Sequence, residues 1–289
     1  EAIIMGGKNV VDISFFPEDG MPLNKLAKAK KVTAVIDCGV APGMSNIILG
    51  RYNEEYNLTS FTCQVGGLPK KRELPFEYKA PFSPIDVLEE YSRTARLFKD
   101  GKVVDLPALS EITQENFAET GTLESFNTDG LRSILKTMSH IPNMKEKTLR
   151  YPGHAQYMLD LFKAGFFSTK KIKINNTQIS PLEFTSQILF EQWKLGPEEE
   201  EFTLMHIDME GTDKVNGKPV KSSYHLYDSY NKTDKASSMS RCTGYTCNAV
   251  VHLLANKTFN KKGVLPPEVI GANKKCFDFI INYLKEREV

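Results

Sequence analysis

NVVDISFFPEDGMPLNKLAKAKKVTAVIDCGV (residues 9–40) carries the strongest architectural signal in the chain. Residues 9–16 combine β-branched and aromatic side chains after the Gly6-Gly7 pair, which is a buried-strand pattern. Residues 22–30 predict a short helix with Pro22 at its start. Residues 32–40 are a second apolar run of strand length. Strand, helix and strand make a βαβ unit, and a right-handed crossover sets the two strands parallel. Two parallel strands cannot cover their own faces, so the sheet needs more of them. A doubly wound nucleotide-binding fold supplies such strands and places a glycine-rich phosphate loop after the first. No GxGxxG occurs among the 19 glycines, and Glu1 stands just ahead of a strand. The expectation is a truncated chain, with roughly 100 residues of such a fold preceding it. The alternative is a small independent α/β domain.

The middle of the chain follows another pattern. Residues 58–69 have strand character and end in the pair Gly66-Gly67, expected to be a turn rather than a phosphate loop. Residues 83–98 predict a helix with Ser83 as N-cap and Pro84 at its first position. A turn and short strand follow from Gly101. Residues 128–138 predict an amphipathic helix capped by Thr128 or Asp129. Residues 147–153 predict a strand ending in a Pro-Gly turn, 154–165 a helix closed by Gly165, and 180–195 a helix with a second Ser-Pro start. Three strand-like runs begin at Phe202, Ser222 and Lys235, and residues 242–257 predict a final long helix. The fold class is therefore α/β plus α+β: residues 1–42 and 242–289 as a partial nucleotide-binding domain, and 43–241 as an inserted α+β domain.

Lys and Arg number 37 against 36 Asp and Glu, a net charge of +1. That balance argues against a nucleic-acid binder built on phosphate neutralisation. No apolar run has the roughly 18 residues of a membrane helix, and no membrane partner is expected. EAIIMGGKNVVDI lacks the features of a signal peptide. Five scattered cysteines suggest free thiols in a reducing cytoplasm, and Cys242 and Cys247 lack the close-set partners of a zinc site, so no metal is expected.

DCGVAPGMSNIILG (37–50), VGGLPKKRELPFEYKAPFSPIDVLEEY (65–91) and EKTLRYPGHAQYM (146–158) resemble the saccharopine dehydrogenase family. LESFNTDGLRSIL (123–135) and KKGVLPPEVI (261–270) fit it as well. The resemblance implies a Rossmann domain binding NAD or NADP, an α+β domain with the substrate site and a homodimer contact, and last helices that return to the Rossmann domain. It implies substrate-binding roles for Thr148, Leu149 and Arg150, and for Ser14 and Phe15. Saccharopine reductases carry Asn-Arg-Asp-Ser where this chain has Asn127, Thr128, Asp129 and Gly130. They carry Asp-Pro-Gly where it has Ala41, Pro42 and Gly43. A missing Arg is a loss for recognising a three-carboxylate substrate. The resemblance therefore implies the lysine 6-dehydrogenase branch, which oxidises the side-chain amine of lysine, here of lysine or a close analogue as small amino-acid substrate. Glutamate-forming saccharopine reduction is the runner-up, and a non-catalytic binding or dimerisation fragment is the reading from another class.

Individual residues refine this. Arg150, an Arg in an apolar strand, must find a carboxylate, either the substrate's or an internal one. His154, at a helix start, is a candidate base because a neutral imidazole is favoured there. Asp37, at a strand end, is the other catalytic candidate, and Asp129 a substrate-binding carboxylate unless it merely caps a helix. Ser14, Cys38, Gly39 and Val40 lie where a nicotinamide would be met.

Overall fold

The computed structural model describes residues 1–14 and 18–289. The chain opens with α1 (Ala2–Met5), β1 (Val10–Val11), a 3-10 turn over Met21–Leu23, α2 (Asn24–Ala29), β2 (Thr33–Val35), α3 (Met44–Glu55) and β3 (Tyr56–Pro69). It continues through α4 (Pro84–Ser92), β4 (Ala95–Lys99), β5 (Lys102–Leu106), β6 (Thr113–Phe117), β7 (Gly121–Thr128), α5 (Ile134–Thr137), β8 (Asn143–Arg150) and α6 (His154–Lys163). β9 (Ile172–Ile174), β10 (Thr177–Ile179), α7 (Pro181–Trp193), β11 (Glu201–Asp213), β12 (Pro219–Ser229), α8 (Ser238–Ala255), β13 (Gly263–Leu265), α9 (Pro267–Gly271) and α10 (Lys274–Lys285) complete it.

The βαβ opening is present. β1 and β2 are parallel, with Val10 opposite Ala34. β1 ends at Val11 and β2 at Val35, and residues 15 and 16 of the first apolar run lie outside the described residues; beyond the strands the Cys38 amide donates to the Asp12 carbonyl at 2.9 Å. The strand that the pair lacked comes from the far end of the chain. β13 pairs parallel to β2 on its other side, with Val264 opposite Ala34.

A second, mixed sheet runs β12-β11-β3-β8-β4-β5, and β7 also pairs with β8 and carries β6. β3 and β8 are parallel. β3, β11 and β12 form a long antiparallel ladder. One apolar cluster joins the inner face of this sheet to α3, α8 and α10 through Ile48, Phe61, Ile207, Leu253 and Ile280. A second cluster lies under α4, α6 and α7 around Trp193, which is fully buried.

Several local expectations give way to pairing. Gly66 and Gly67 do not turn; they continue β3, opposite Leu204 and Thr203. A Cβ on Gly66 would stand 2.7 Å from the Leu149 carbonyl, and one on Gly67 2.6 Å from Pro81 Cγ, so the close approach requires glycine. Thr128 closes β7 opposite Glu146 instead of opening a helix, and only Ile134–Thr137 is helical. The helix after Ser83 stops at Ser92, and residues 95–99 pair as β4. The run from Lys235 is not a strand: Ser237 caps α8 through its hydroxyl, which accepts from the Ser240 amide at 3.3 Å. All five cysteines are free thiols. Among the described residues no helix is long and apolar enough to cross a membrane.

Candidate active site

A cleft of about 280 Å³ opens between the two sheets. Its first wall is the carboxyl edge of the small sheet: Ile13 and Ser14 beyond β1, and Asp37, Gly39, Val40 and Ala41 beyond β2. Ligands of open α/β sheets bind at such edges. Its second wall is the end of the large sheet, with Gly66 and Gly67 of β3 and Thr128, Asp129 and Gly130 at the end of β7. α4 supplies Asp86, Glu89 and Glu90.

β8 is the spine of the site. Glu146, Thr148 and Arg150 line the cleft, whereas Lys147 and Leu149 do not. This is the period of two that puts alternate side chains on one face. Leu149 is buried in a separate apolar cluster, and its contribution is its carbonyl oxygen, which accepts from Arg150 Nη1 at 2.9 Å. From Glu146 to Arg150 the backbone advances about 13 Å. Thr148 Oγ1 bonds Thr128 Oγ1 at 3.1 Å across the β7 seam.

Arg150 is 1% exposed. Its Nε donates to Tyr91 Oη at 3.0 Å, and its Nη2 to Glu90 Oε2 at 2.8 Å. The guanidinium lies 4.3 Å over the Tyr78 ring. Both sequence readings of this residue therefore meet: it has an internal acid, Glu90, and it also faces the cleft. Burial raises the Glu90 carboxyl above its ordinary value, and the charge of Arg150 opposes that rise.

His154 is brought beside Arg150 but not into the cleft lining. Its Nδ1 lies 2.9 Å from the Phe76 carbonyl, which can only accept, so Nδ1 carries the proton. Nε2 then accepts from Tyr91 Oη at 2.9 Å. Burial, followed by the charge of Arg150, lowers its pKa to about 3. The helix that begins at His154 is anchored by Glu124, whose carboxylate accepts from the amides of Gly153 (2.8 Å) and Ala155 (2.5 Å).

The remaining carboxylates divide by partner. Asp129 is held by Arg96, with Nε and Nη2 both at 2.8 Å. Asp37, which has a positive φ of 54°, pairs with Arg132 at 2.9 Å. Burial raises its pKa and Arg132 opposes the rise. Ser14, Gly39 and Val40 border the cleft, but Cys38 points away, fully buried, and burial pushes its thiol well up. Phe15 lies outside the described residues. Glu146, Glu90 and Tyr91 escaped the sequence reading. For Glu146 the available signal was its spacing of two and four from Thr148 and Arg150.

Comparison with known proteins fits this arrangement of a small parallel sheet facing a mixed one. A saccharopine dehydrogenase (NADP+, L-glutamate-forming) of Pyricularia oryzae is 27% identical over 194 residues, which are 63% of this chain and 43% of that protein. The chain thus spans less than half the length of that relative. Apo saccharopine dehydrogenase (L-Glu forming) of Saccharomyces cerevisiae has a similar structure, with a TM-score of 0.76 at 18% identity, over 99% of this chain and 79% of that one. The homospermidine synthase of Legionella pneumophila, solved with NAD, gives a TM-score of 0.65 at 10% identity, over 98% and 70% of the two chains. The family model for the saccharopine dehydrogenase C-terminal domain matches residues 39–289, nearly everything from the carboxyl end of β2 onward, and the chain belongs to that family.

Proposed function

We propose that this chain forms the substrate-binding part of an NAD(P)-dependent oxidoreductase that oxidises the side-chain amine of lysine or a close analogue. The observation that carries the reading is the charge of the cleft. Six carboxylates line it (Asp37, Asp86, Glu89, Glu90, Asp129 and Glu146) against two guanidiniums, Arg93 and Arg150. Arg93 pairs with Glu89, and Arg150 with Glu90. Such a lining favours a ligand with one carboxylate and a cationic tail. Asp37 and Asp129 are paired with Arg132 and Arg96, which leaves Asp86 and Glu146 to meet the cationic tail, and Thr128 stands where saccharopine reductases present an Arg for a further carboxylate.

The residues present suit the nicotinamide end of the cofactor: Ser14, Asp37, Gly39 and Val40 stand at the carboxyl ends of parallel strands, with no Cβ at Gly39 to block approach. When bound, the cofactor supplies the hydride acceptor. The chain's own residues do the rest. Arg150 has two N–H groups beyond the three it commits internally, which suits an α-carboxylate. The acidic wall receives the amine and its proton.

Calorimetric titration near pH 8 tests the reading, with L-lysine, saccharopine and 1,5-diaminopentane as ligands. Lysine should bind most tightly, and with NAD(P)+ present it should yield reduced nicotinamide in the protein that carries this site. Tighter binding of saccharopine than of lysine would reject the lysine assignment.

A further inference from the structure

Glu146 stands apart from every other acid of the cleft. It is 5% exposed, and among the described residues its carboxyl group has no hydrogen-bond or ion-pair partner, though the charge of Arg132 reaches it. Asp37, Glu89, Glu90 and Asp129 each have an arginine. Asp86 has none but is only half-buried. An unpaired buried carboxylate is costly, and it is kept only where something compensates it.

The space it occupies is made for it. A Cβ on Gly130 would lie 1.5 Å from Glu146 Oε1 and 2.0 Å from its Cδ. The carboxyl group thus fills the volume that any side chain at position 130 would take. Thr148 and Arg150 extend from it along the same face of β8. About 13 Å of strand separates the Cα atoms of Glu146 and Arg150, room for an extended amino acid between the two side chains.

We propose that Glu146 is the binding site for the cationic amine of the substrate and the acceptor of its proton, with Gly130 as the position that lets the carboxyl reach the cleft. This rests on the amine-oxidoreductase reading above and assigns its two substrate ends to opposite ends of β8. Burial, with the nearby charges of Glu90 and Asp129 and against that of Arg132, raises the Glu146 pKa to about 8. Free Glu146 is therefore mostly protonated at pH 7. Lysine ammonium displaces that proton: the carboxylic acid and the ammonium give a carboxylate–ammonium pair and one proton to the buffer. When hydride leaves the amine-bearing carbon, the ammonium must first lose a proton, which returns to the Glu146 carboxylate and gives a carboxylic acid beside a neutral amine. An acid near 8 takes a proton from an ammonium near ~10.4 far more readily than an ordinary Glu near ~4.3 does.

Calorimetry of lysine binding at pH 7, in two buffers of different ionisation enthalpy, counts the protons. Norleucine, which has lysine's carboxylate and α-amine but no side-chain amine, is the control. The wild-type chain should release about one proton per lysine and none per norleucine. Glu146→Gln should release none with lysine and bind it roughly tenfold or more weakly, with norleucine affinity unchanged. Gly130→Ala, which displaces the carboxyl without removing it, should weaken lysine and leave norleucine unaffected. Unchanged lysine affinity and proton count in both variants would overturn the assignment of Glu146 while lysine binding itself survived. Failure of the wild-type chain to bind either amino acid would instead overturn the underlying functional reading, and this inference with it.

Discussion

Arg150, Tyr91 and His154 form a relay whose polarity is fixed by one carbonyl. Phe76 O holds the proton on His154 Nδ1, Nε2 therefore accepts from Tyr91, and the Tyr91 oxygen accepts from Arg150 Nε. His154 thus positions Arg150 and is itself kept neutral. The consequence is a pH dependence of stability. The folded pKa near 3 lies below the unfolded value near ~6.5, so the folded state binds fewer protons between them. Stability from this group is complete above about pH 6.5 and falls as pH drops toward 3, at no more than about 1.4 kcal/mol per pH unit. Urea midpoints from pH 7 to pH 4 should fall less steeply in His154→Gln than in the wild type; parallel curves would mean that His154 is protonated in the folded state. Arg150 has a different test. Arg150→Lys keeps the charge but loses the planar fork, and should weaken lysine binding by about 1.5–3 kcal/mol, roughly 10- to 150-fold, with a smaller loss for 1,5-diaminopentane. An equal loss for both ligands would place Arg150 in the frame rather than at the carboxylate. Arg150 was legible in the sequence because an Arg in an apolar strand is anomalous. Glu146 was not, because a glutamate next to a lysine looks like surface until the face of the strand is known.

The same contrast holds for elements. The βαβ opening and the strand–Pro-Gly–helix passage at 147–165 were readable because turn residues and apolar runs agree there. Where a strand partner overrides local preference, the reading failed. Thr128 has the chemistry of a helix cap, yet ladder pairing with Glu146 holds it in β7. Gly66-Gly67 has the chemistry of a turn, yet the close approach of β3 to β8 makes it strand. β13 is too short to announce itself and exists only because β2 offers it an open edge. The tight β3–β8 contact bears on the cleft as well as the fold, since Glu146, Thr148 and Arg150 of β8 line it. Gly66→Ala puts a methyl 2.7 Å from a backbone oxygen that cannot rotate away. The strands must separate, which should cost about 1–3 kcal/mol in urea unfolding. Thr148 and Arg150 would move with β8, so lysine affinity should fall as well. Full stability in this variant would show that the β3–β8 seam has slack.

At the scale of the whole molecule, the two walls of the cleft belong to different sheets and must be held in register. Part of that register comes from the segment after β13. α9 lies against α3 backbone to backbone: a Cβ on Gly50 would be 2.1 Å from the Glu268 carbonyl, and one on Gly271 2.0 Å from the Ile47 carbonyl. Glu268, 1% exposed, then gathers three donors from separate parts of the chain. Its carboxylate accepts from Asn46 Nδ2 at 3.1 Å, Ser133 Oγ at 3.1 Å and Thr137 Oγ1 at 2.5 Å. Asn46 opens α3 just past the small-sheet edge, Ser133 and Thr137 bracket α5 behind the β7 end, and Glu268 follows β13. None of the four lines the cleft, so the network frames the site without touching the ligand. Glu268→Ala leaves buried Asn46 and half-buried Ser133, with exposed Thr137, without their shared acceptor and should cost about 2–4 kcal/mol, since charge-assisted bonds are the strong ones and buried partners left unsatisfied add a desolvation penalty. Urea unfolding gives that number. Lysine affinity, measured in the absence of denaturant where the protein stays folded, should remain within about twofold of the wild type, because Thr148 and Arg150 on β8 keep their own partners, Thr128 and Tyr91. The opposite pattern, with stability kept and affinity lost, would mean that Glu268 governs the placement of the cleft walls more than the strength of the fold.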